Sequence, residues 1–343
     1  MRVCHVLAGS GTFGGLEKNV VDLTSAQSVL GLEVSVLTTS ALAGFFDERV
    51  NVSSVRLDRS RFDPRLRYEI KKQLLLLQPD IVHAHANKSA ATIGKLVNGM
   101  GLKSVATVQN IKKNQDMFRH FDAVIAASQV VAESLGGLSA KVIRNAVNRP
   151  DFSLKQQARA LNPPFLDRGQ PVLYAAGRFV KAKGYDYLLQ AMEQITDVSL
   201  WLVGDGPDRA MLENMVADKT LADRVWMPGF LPVEQVLGLM TLADIFVISS
   251  RREGGPYTLA EALRYRCPVI STRVGFAPEL LGERQLINET SVEGLVAGLK
   301  HSINDINRYR EEMLPIYERA DRELDIDLMV EQVLVLYRDL LSR

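Results

Sequence analysis

Residues 244–275, DIFVISSRREGGPYTLAEALRYRCPVISTRVG, run from one apolar segment through a Gly-Gly-Pro turn and a helical pattern into a second apolar segment. This order predicts a strand, a loop, a helix and another strand, the repeating unit of a parallel α/β sheet. Glu253 lies on the loop that leaves the first strand, at the edge where open α/β sheets bind ligands. Glu261 follows eight positions later, in the first or second turn of the helix. The stretch therefore predicts a ligand site.

The residues between the two glutamates favour a nucleotide-linked sugar as the ligand. Tyr257, Thr258 and Leu259 begin the helix, and free backbone N–H groups at the positive end of a helix bind phosphate. The carboxylates on either side can accept hydrogen bonds from sugar hydroxyl groups. The alternative is a loop acid followed by an acid that only favours the helix dipole.

The stretch resembles the Glu-x7-Glu segment of retaining glycosyltransferases of family 4, which have the GT-B fold, and the resemblance covers nearly the whole chain. It implies that Glu261 binds the ribose hydroxyl groups of the donor and that Glu253 faces the transferred sugar near its anomeric carbon. It also implies an α/β protein with two Rossmann-like, doubly wound domains that face each other across a cleft.

Strand and helix signals alternate along the chain, as in parallel, doubly wound sheets. The predicted strands fall into two groups, at 3–9, 34–39, 80–85, 104–109 and 123–128, and at 172–177, 199–204, 224–229, 245–250 and 268–272. A polar, proline-containing stretch at 149–171 between the groups is the predicted linker. We therefore expect an acceptor-side domain at 1–152 and a nucleotide-sugar-binding domain at 165–325. The resemblance implies that a final helix, at 328–343, packs back on the first domain.

Two cationic side chains follow the first strand of the second domain. Arg178 and Lys183 match the Arg-x4-Lys motif of the family, and such a pair can neutralise the diphosphate of a departing nucleotide. Lys181 is expected to be a solvated neighbour. The resemblance assigns further donor contacts to two turns, Gly-Asp-Gly-Pro and Met-Pro-Gly-Phe. Their residues are Gly204, Asp205, Gly206, Pro228, Gly229 and Phe230. Asp205 is expected to organise its turn, and the second turn to lie under the nucleobase.

The first strand is followed by a literal G-x-G-x-x-G at 9–14. An NAD-binding oxidoreductase would also need an acid at the end of the second strand, to hold the ribose. That strand ends in Leu-Thr-Thr-Ser at 37–40, which argues against this alternative. The segment that begins at the last glycine of this motif, Gly14-Gly15-Leu16-Glu17, resembles the Gly-Gly-x-Glu element of the family. The resemblance makes Gly15 a donor contact and Gly14 and Glu17 acceptor-side candidates, against the alternative of a plain tight turn before a helix.

Asp80–His85 resembles the Asp-Val-Val-His-x-His strand end of the family. His83 and His85 alternate with apolar residues, and we expect one of them to be structural and His85 to be an acceptor-side candidate. A zinc site would need a third ligand, and none is obvious in the sequence. We therefore expect neither a metal nor a cofactor.

The next strand ends in Thr-Val-Gln-Asn at 107–110. Many relatives carry histidine where Gln109 stands, as a donor contact. Glutamine can hydrogen-bond there, but it does not titrate near neutral pH, which argues against a proton relay at this position. Asn110 is a further acceptor-side candidate. Asp325 and Asp327 have metal-binding spacing, yet they precede the final helix and are expected to cap it.

The chain has 343 residues, of which 47% are hydrophobic and 24% are charged, as expected of a soluble enzyme with two domains. Cys4 and Cys267 lie in predicted buried strands, so we expect core thiols in a reducing cytoplasm. The sequence shows neither a signal peptide nor an apolar run of the roughly 20 residues needed to cross a bilayer.

The net charge of +1 hides an asymmetry between the two halves. Residues 1–150 hold 19 Lys/Arg and 12 Asp/Glu, and the remainder holds 22 and 28. Basic residues concentrate at Arg56, Arg59, Arg61, Arg65, Arg67, Lys71 and Lys72, with a smaller group at Lys112, Lys113 and Arg119. They form either a solvated helix face or a surface that contacts anionic lipid on the inner face of the membrane. We expect no nucleic-acid partner, and the sequence does not predict an oligomeric state.

Together these features predict a cytoplasmic, metal-independent, retaining glycosyltransferase. By resemblance, it would transfer a sugar from a nucleotide diphosphate sugar to a hydroxyl group of a lipid-linked or surface-glycan acceptor in bacterial lipopolysaccharide, capsule or exopolysaccharide synthesis. A nucleotide-sugar 2-epimerase shares this fold, and a non-enzymatic binding module is a third class. The presence of both Gly-Gly-x-Glu and Glu-x7-Glu favours the transferase.

Overall fold

The computed structural model of the protein describes residues 1–8, 13–111, 114–218 and 221–343. The chain folds as two compact α/β units, a first unit of Met1–Asn148 with Asp325–Arg343 and a second unit of Arg149–Leu324. Residues 9–12 of the glycine-rich motif, and Lys112 and Lys113 of the smaller basic group, lie outside the described residues.

The first unit is built on a parallel sheet. Its strands are β1 (Arg2–Leu7), β2 (Glu33–Thr38), β3 (Asn51–Ser54), β4 (Ile81–His85), β5 (Ser104–Val108), β6 (Ala123–Ala126) and β7 (Lys141–Val142). Their order in the sheet is β3-β2-β1-β4-β5-β6-β7, so the strand order reverses between β1 and β4. The central strands β1, β4 and β5 are almost completely buried because helices cover both faces of such a sheet.

The helices of the first unit alternate with its strands. They are α1 (Gly15–Val29), α2 (Ser40–Ala43), α3 (Pro64–Leu77), α4 (Ala86–Gly99) and α5 (Gln129–Glu133), with a short 3-10 helix at Asp116–His120. The start of α3 follows the expected sequence signals, since Asp63 accepts a hydrogen bond from the N–H of Arg65 and Pro64 is the first helical residue.

The second unit repeats this architecture. Its strands are β8 (Val172–Ala176), β9 (Ser199–Val203), β10 (Val225–Gly229), β11 (Ile245–Ile248), β12 (Val269–Thr272) and β13 (Leu286–Ile287). They pair in parallel in the order β10-β9-β8-β11-β12-β13, so the order reverses between β8 and β11. Its helices are α6 (Leu154–Ala160), α7 (Tyr185–Glu193), α8 (Arg209–Asp218), α9 (Val233–Met240), α10 (Tyr257–Arg264), α11 (Ala277–Leu280), α12 (Val292–Asn304) and α13 (Ile306–Glu323), with 3-10 helices at Lys181–Lys183 and Glu283–Gln285.

The last helix, α14 (Ile326–Leu341), belongs to the first unit. Val330, Val333 and Tyr337 pack in one apolar cluster with Val3 and Leu23 of β1 and α1. Asp325 caps the helix by accepting a hydrogen bond from the N–H of Asp327 at 3.0 Å, so the capping interpretation of this acidic pair is confirmed.

Both cysteines lie in the cores, as predicted, but only Cys4 lies in a strand, since Cys267 precedes β12. Cys4 and Cys267 are free thiols with 0% and 1% of their surface exposed. Burial raises the pKa of the Cys4 thiol to about 12 and raises the pKa of Cys267 as well. These cysteines therefore act as small apolar core residues.

Three short strands, β3, β7 and β13, were absent from the sequence-based prediction. Each lies at the edge of its sheet, and β7 and β13 are only two residues long. β3 is only partly buried and so lacks an apolar pattern. Edge strands of this length carry too few side chains for a recognisable period.

Candidate donor site and the histidine network

The carboxyl ends of β8 and β11 are brought together by a close backbone contact. Gly184 has a positive φ of 67°, and a Cβ atom there would lie 2.1 Å from the carbonyl oxygen of Ser249. Only glycine fits this position. The Ser249 hydroxyl also donates a hydrogen bond to the Lys183 carbonyl at 2.9 Å. The loop that follows β8 is therefore packed directly on the loop that follows β11.

This packing places Lys183 against Glu253. The Lys183 Nζ lies 2.6 Å from the Glu253 Oε1, and the Ser250 hydroxyl donates to the same oxygen at 2.9 Å. The two charged side chains are only 21% and 14% exposed. Burial lowers the pKa of Lys183, but the Glu253 carboxylate and Tyr185 together outweigh burial, so the pKa is raised. Lys183 therefore stays cationic, as the sequence predicted for a diphosphate ligand.

A small cavity of about 10 Å³ adjoins this ion pair, roughly the space of one water molecule. Lys183, Tyr185, Ser250 and Thr258 contribute to its walls. Burial raises the pKa of Tyr185 to about 12, so this hydroxyl stays protonated. The cavity connects the cationic segment after β8 with the first turn of α10.

The first turn of α10 contains Tyr257, Thr258 and Leu259, as the sequence predicted. The Leu259 N–H donates to the Pro256 carbonyl at 3.1 Å, so it is not one of the free donors that the sequence predicted. A 3-10 bond of this kind is a common way to satisfy the first N–H groups of a helix. Glu261 lies in the second turn and is 95% buried, since its exposed fraction is 5%.

The Gly-Gly-Pro turn before α10 rests on a glycine from the next loop. Gly275 has a φ of +54°, and a Cβ there would lie 2.5 Å from the ring of Pro256 and 3.0 Å from the Gly254 carbonyl oxygen. Val274 and Gly275, the last two residues of the 244–275 stretch, therefore shape the turn between Glu253 and Glu261.

The turn after β9 is joined to the segment after β8 by main-chain hydrogen bonds. The Phe179 N–H donates to the Asp205 carbonyl at 2.8 Å, and a Cβ on Gly206 would lie 2.4 Å from the Phe179 carbonyl oxygen. The Asp205 carboxylate accepts from the Gly206 N–H at 2.6 Å and contacts Arg209 at 3.1 Å. Asp205 thus organises its turn, as predicted.

The predicted nucleobase turn lies beside it. The Gly204 N–H donates to the Gly229 carbonyl at 2.9 Å, and Gly229 has a φ of +89°. Phe230 is 61% exposed, and Pro228 precedes the glycine. Arg178 is an exposed side chain at the end of β8. The second unit therefore carries its predicted site residues on neighbouring strand ends of one sheet edge.

In the first unit, the Gly-Gly-x-Glu element begins α1. Gly14 has extended backbone, and its N–H donates to the Glu17 carboxylate at 3.2 Å. Glu17 is 7% exposed and caps the helix, while Gly15 is the first helical residue. This geometry fits the alternative of a turn before a helix, and the role of Glu17 toward an acceptor stays a prediction.

The sequence-based expectation that His83 and His85 lack a third histidine partner is wrong. His5 of β1 pairs in register with His83 of β4, and ligand atoms of the three rings lie within 4.8 Å of one another. The cause is strand adjacency, because β1 and β4 are hydrogen-bonded in the sheet although His5 and His83 are 78 residues apart in sequence. The sequence alone does not show that His5 lies beside His83, because this contact depends on the strand order.

The three rings are joined to each other and to their surroundings by hydrogen bonds. The His5 Nδ1 lies 2.9 Å from the His85 Nε2, and its Nε2 lies 2.8 Å from the Gln27 Oε1. His83 bridges Tyr337 at 2.5 Å and Thr107 at 2.7 Å, which fits the structural role predicted for one of the pair.

Burial keeps these histidines neutral. It lowers the pKa of His5 to about 4 and lowers the pKa values of His83 and His85 well below the usual range. The His85 Nδ1 is buried and has no hydrogen-bond partner among the described residues. The His5 Nδ1 and the His85 Nε2 are 2.9 Å apart, which is a hydrogen-bond distance, so these two nitrogen atoms satisfy each other.

Gln109 is held by a reciprocal amide pair. Its side chain donates to and accepts from the Asn145 side chain, both at 3.1 Å, and both residues are at least 94% buried. Asn110 is exposed beside it. The pair satisfies both buried amide groups and holds the Gln109 side chain in place.

Two family models cover most of the sequence. Residues 13–149 match the one described as Glycosyltransferase Family 4, and residues 157–314 match the one described as Glycosyl transferases group 1. The lipopolysaccharide core biosynthesis glycosyltransferase LpsE of Rhizobium meliloti is 25% identical over 284 residues, which are 80% of this chain and 79% of LpsE. The putative teichuronic acid biosynthesis glycosyltransferase TuaC of Bacillus subtilis is 29% identical over 71% of this chain and 65% of TuaC.

The fold matches that of solved structures over the whole chain. The crystal structure of Anabaena HepE in complex with UDP-glucose superposes with a TM-score of 0.85 at 19% identity, and the match covers 99% of this chain and 100% of that one. The fold and the two family matches define a glycosyltransferase of the GT-B fold. The chain belongs to the family 4, or group 1, glycosyltransferases, and neither the epimerase nor the oxidoreductase alternative is favoured.

Proposed function

We propose that this protein transfers a sugar from a nucleotide diphosphate sugar, with retention of anomeric configuration and without a metal ion. The observation that carries the proposal is the Lys183–Glu253 pair beside the first turn of α10. A lysine that keeps its charge, a carboxylate and the start of a helix lie together at the carboxyl edge of one sheet, where open α/β sheets commonly bind ligands, and this supports the proposal. The HepE structure in complex with UDP-glucose supports a donor of this class.

In this proposal the side chains of the second unit divide the work. Arg178 and Lys183 neutralise the negative charge that develops on the departing diphosphate, aided by the helix amides near Thr258. A pair of protein cations can supply the neutralisation that a metal ion supplies elsewhere. Glu261 binds the ribose hydroxyl groups, and Glu253 faces the transferred sugar. The bond from the anomeric carbon to the diphosphate breaks, a bond to an acceptor hydroxyl oxygen forms on the same face, and the hydroxyl proton passes to the departing diphosphate.

The remaining assignments extend this proposal. The turns at Gly204–Gly206 and Pro228–Phe230 contact the nucleotide. Gly15 and Gln109 are donor contacts from the first unit, and the acceptor-side candidates there are Gly14, Glu17, His85 and Asn110. We assign no separate protein nucleophile. Glu253 is the carboxylate beside Lys183, and its side chain is already held by Lys183 and Ser250.

A lipid-linked or surface glycan is the acceptor that we propose. The printed names of LpsE and TuaC place those relatives in lipopolysaccharide core and teichuronic acid synthesis, which supports an acceptor of this class. No helix among the described residues is long and apolar enough to cross a membrane.

The surface of α3 adds a second part to the proposal, peripheral contact with an anionic membrane. The basic group at 56–72 is accompanied by exposed apolar side chains, with Phe62 77%, Tyr68 71% and Leu76 69% exposed. The Arg61 guanidinium lies 4.8 Å from the centre of the Phe62 ring. Basic and aromatic side chains on one segment are typical of surfaces that bind the lipid interface. The protein would then act at the cytoplasmic face of the membrane.

Vesicle sedimentation tests the membrane contact. We expect binding to anionic phosphatidylglycerol vesicles at 0.05 M salt and release at 1 M, because the Debye length falls to about 3 Å. Replacing Arg61, Arg65 and Arg67 by serine should weaken binding without changing the affinity for the donor nucleotide. If the wild-type protein stays in solution at low salt, the basic group is a solvated face.

A donor panel tests the proposed reaction. The protein is incubated with UDP-, GDP- and ADP-sugars in the presence of EDTA, and release of the nucleoside diphosphate is followed by mass spectrometry. We expect release from one nucleotide class with water as the acceptor, and the first sugar anomer seen by proton NMR, before mutarotation, should have the configuration of the donor. An inverted product would contradict retention, and a requirement for added Mg²⁺ or Mn²⁺ would contradict metal independence.

A further inference from the structure

Arg251 joins the two loops that carry Lys183 and Glu253. Its Nη1 and Nη2 donate to the two carboxylate oxygens of Asp186, both at 2.6 Å. The same Nη1 donates to the carbonyl of Lys181 at 2.7 Å, and the Arg251 backbone N–H donates to the carbonyl of Ala182 at 2.8 Å. One residue of the Glu253 loop thus contacts three residues of the opposite segment, Lys181, Ala182 and Asp186.

A neighbouring ring fixes the plane of this guanidinium. The Arg251 Cζ lies 3.7 Å from the centre of the Tyr187 ring. Arginine suits this position because its planar fork can bind a carboxylate through two nitrogens while it stacks on an aromatic face. Lysine would keep the charge but could not reproduce both contacts. The site therefore depends on the shape of the side chain as well as on its charge.

The segment that Arg251 holds is the 3-10 helix Lys181–Lys183. The contacts of Ser249 with the Lys183 carbonyl and with Gly184 hold the same segment from its other end. The ammonium of Lys183 therefore reaches Glu253 from a backbone that is fixed on both sides. Arg251 itself is engaged by Asp186, Lys181 and Tyr187.

We propose that Arg251 and Asp186 are positioning residues of the donor site, which hold the Lys183 segment against the Glu253 loop before the donor binds. The inference rests on the proposed function, in which Lys183 neutralises the departing diphosphate. Electrostatic stabilisation of this kind depends on charges that are already in place, and an error of about 1 Å can lower a rate roughly 100-fold.

The test compares Arg251→Lys and Arg251→Gln with a control from the first unit. Arg49 makes a similar two-nitrogen contact with Asp47, at 2.7 Å for each hydrogen bond, on the surface of the other unit. Arg49→Gln therefore removes an equivalent ion pair without touching the donor site. Asp186→Asn, which weakens the same contact from its other side, serves as a second variant if Arg251→Gln does not fold.

For both Arg251 variants we expect kcat/KM to fall roughly 10- to 100-fold, with the melting temperature close to that of the wild type. Arg49→Gln should keep wild-type kcat/KM. Hydrogen exchange should accelerate in peptides covering 181–186 and 249–253 and stay unchanged in the first unit. A purely electrostatic role would be rescued by lysine, whereas positioning by the planar fork would not.

Wild-type turnover in Arg251→Lys, or exchange that accelerates evenly through the second unit, would overturn the inference. If the wild-type protein binds none of UDP, GDP and ADP, the proposed function fails instead. The exchange measurement still reports on positioning in that case, because it needs no substrate.

Discussion

The strand order reverses between β1 and β4 in the first unit and between β8 and β11 in the second, and the side chains at these two points differ in charge. In the second unit, Lys183 and Glu253 form an ion pair that is partly exposed. In the first unit, His5 and His85 are uncharged and almost completely buried. The same topology thus carries a charged site in one unit and a neutral hydrogen-bonded network in the other.

This difference fits the ligands proposed for the two units. A diphosphate needs cations that remain charged, and the pKa of Lys183 is raised because Glu253 and Tyr185 together outweigh the effect of burial. A hydroxyl group can pair with a neutral imidazole as well as with a carboxylate, so a hydrogen-bonding site of this kind needs no charge. The fold therefore determines where a site lies, and the local pairing of side chains determines which chemistry that site supports.

The largest effect should follow removal of the cations in the second unit. We expect Lys183→Ala and Arg178→Ala to lower kcat roughly 10²- to 10³-fold each and to weaken nucleoside diphosphate binding, because each removes charge stabilisation in the transition state. Initial-rate assays measure the change in kcat, and calorimetry measures the change in affinity for the nucleoside diphosphate. Lys181→Ala is the matched control, since Lys181 is an exposed neighbour in the same segment. A similar loss in Lys181→Ala would contradict a specific interaction of Arg178 and Lys183 with the diphosphate.

The two glutamates should separate binding from turnover. Glu261→Ala should weaken nucleoside diphosphate binding by about 1.5–3 kcal/mol, the usual contribution of a charged hydrogen bond, or roughly 10- to 150-fold in Kd. Glu253→Ala should reduce kcat more than it changes that Kd. Calorimetry with the free nucleotide and initial-rate kinetics distinguish these outcomes. Identical behaviour of both variants toward free nucleotide would show that the division of roles is wrong.

The histidine network should make the first unit sensitive to acid. The pKa of His5 is about 4 in the folded protein, compared with about 6.5 in the unfolded chain, so the unfolded state binds more protons between these values. The stability from His5 is therefore complete above about pH 6.5 and is lost as the pH falls towards 4. The total is about 3 kcal/mol, of which about 2 kcal/mol is lost by pH 5.

Hydrogen exchange at pH 7 and pH 5, corrected for the intrinsic rate, measures this loss separately in each unit. Protection should fall in β1 and β4, and His5→Gln should make it less dependent on pH. His301→Gln is the control, because His301 is exposed and lies in the second unit. Equal protection of β1 at both pH values in the wild type would contradict the account of the buried histidines.

The sequence predicted the parts of this protein that depend on local patterns. The alternation of apolar strands and helices predicted the two parallel sheets, and the glycines at 177, 184, 204 and 206 mark turns whose geometry depends on the missing side chain. The Arg-x4-Lys and Glu-x7-Glu spacings predicted which strand ends carry charge. These signals are local because helix periodicity, turns and caps involve residues close in sequence.

The sequence did not predict partners that strand order brings together. His5 joins His85 across 80 residues, and Arg251 joins Asp186 across 65. Neither pair has a spacing pattern, since the contact depends on which strands are neighbours. The free N–H of Leu259 was also predicted wrongly, because local periodicity does not specify whether the first turn of a helix closes on a 3-10 bond.

The central claim is that the charged site of the second unit binds a diphosphate, and calorimetry with a nucleoside diphosphate and its monophosphate tests it most directly. With UDP and UMP, or the guanosine or adenosine pair if that binds more tightly, the wild type should prefer the diphosphate by roughly 10- to 100-fold. In the Arg178→Ala, Lys183→Ala double variant this preference should disappear while monophosphate affinity is retained. Equal affinity of the wild type for both nucleotides, or a preference that survives without both cations, would contradict the account.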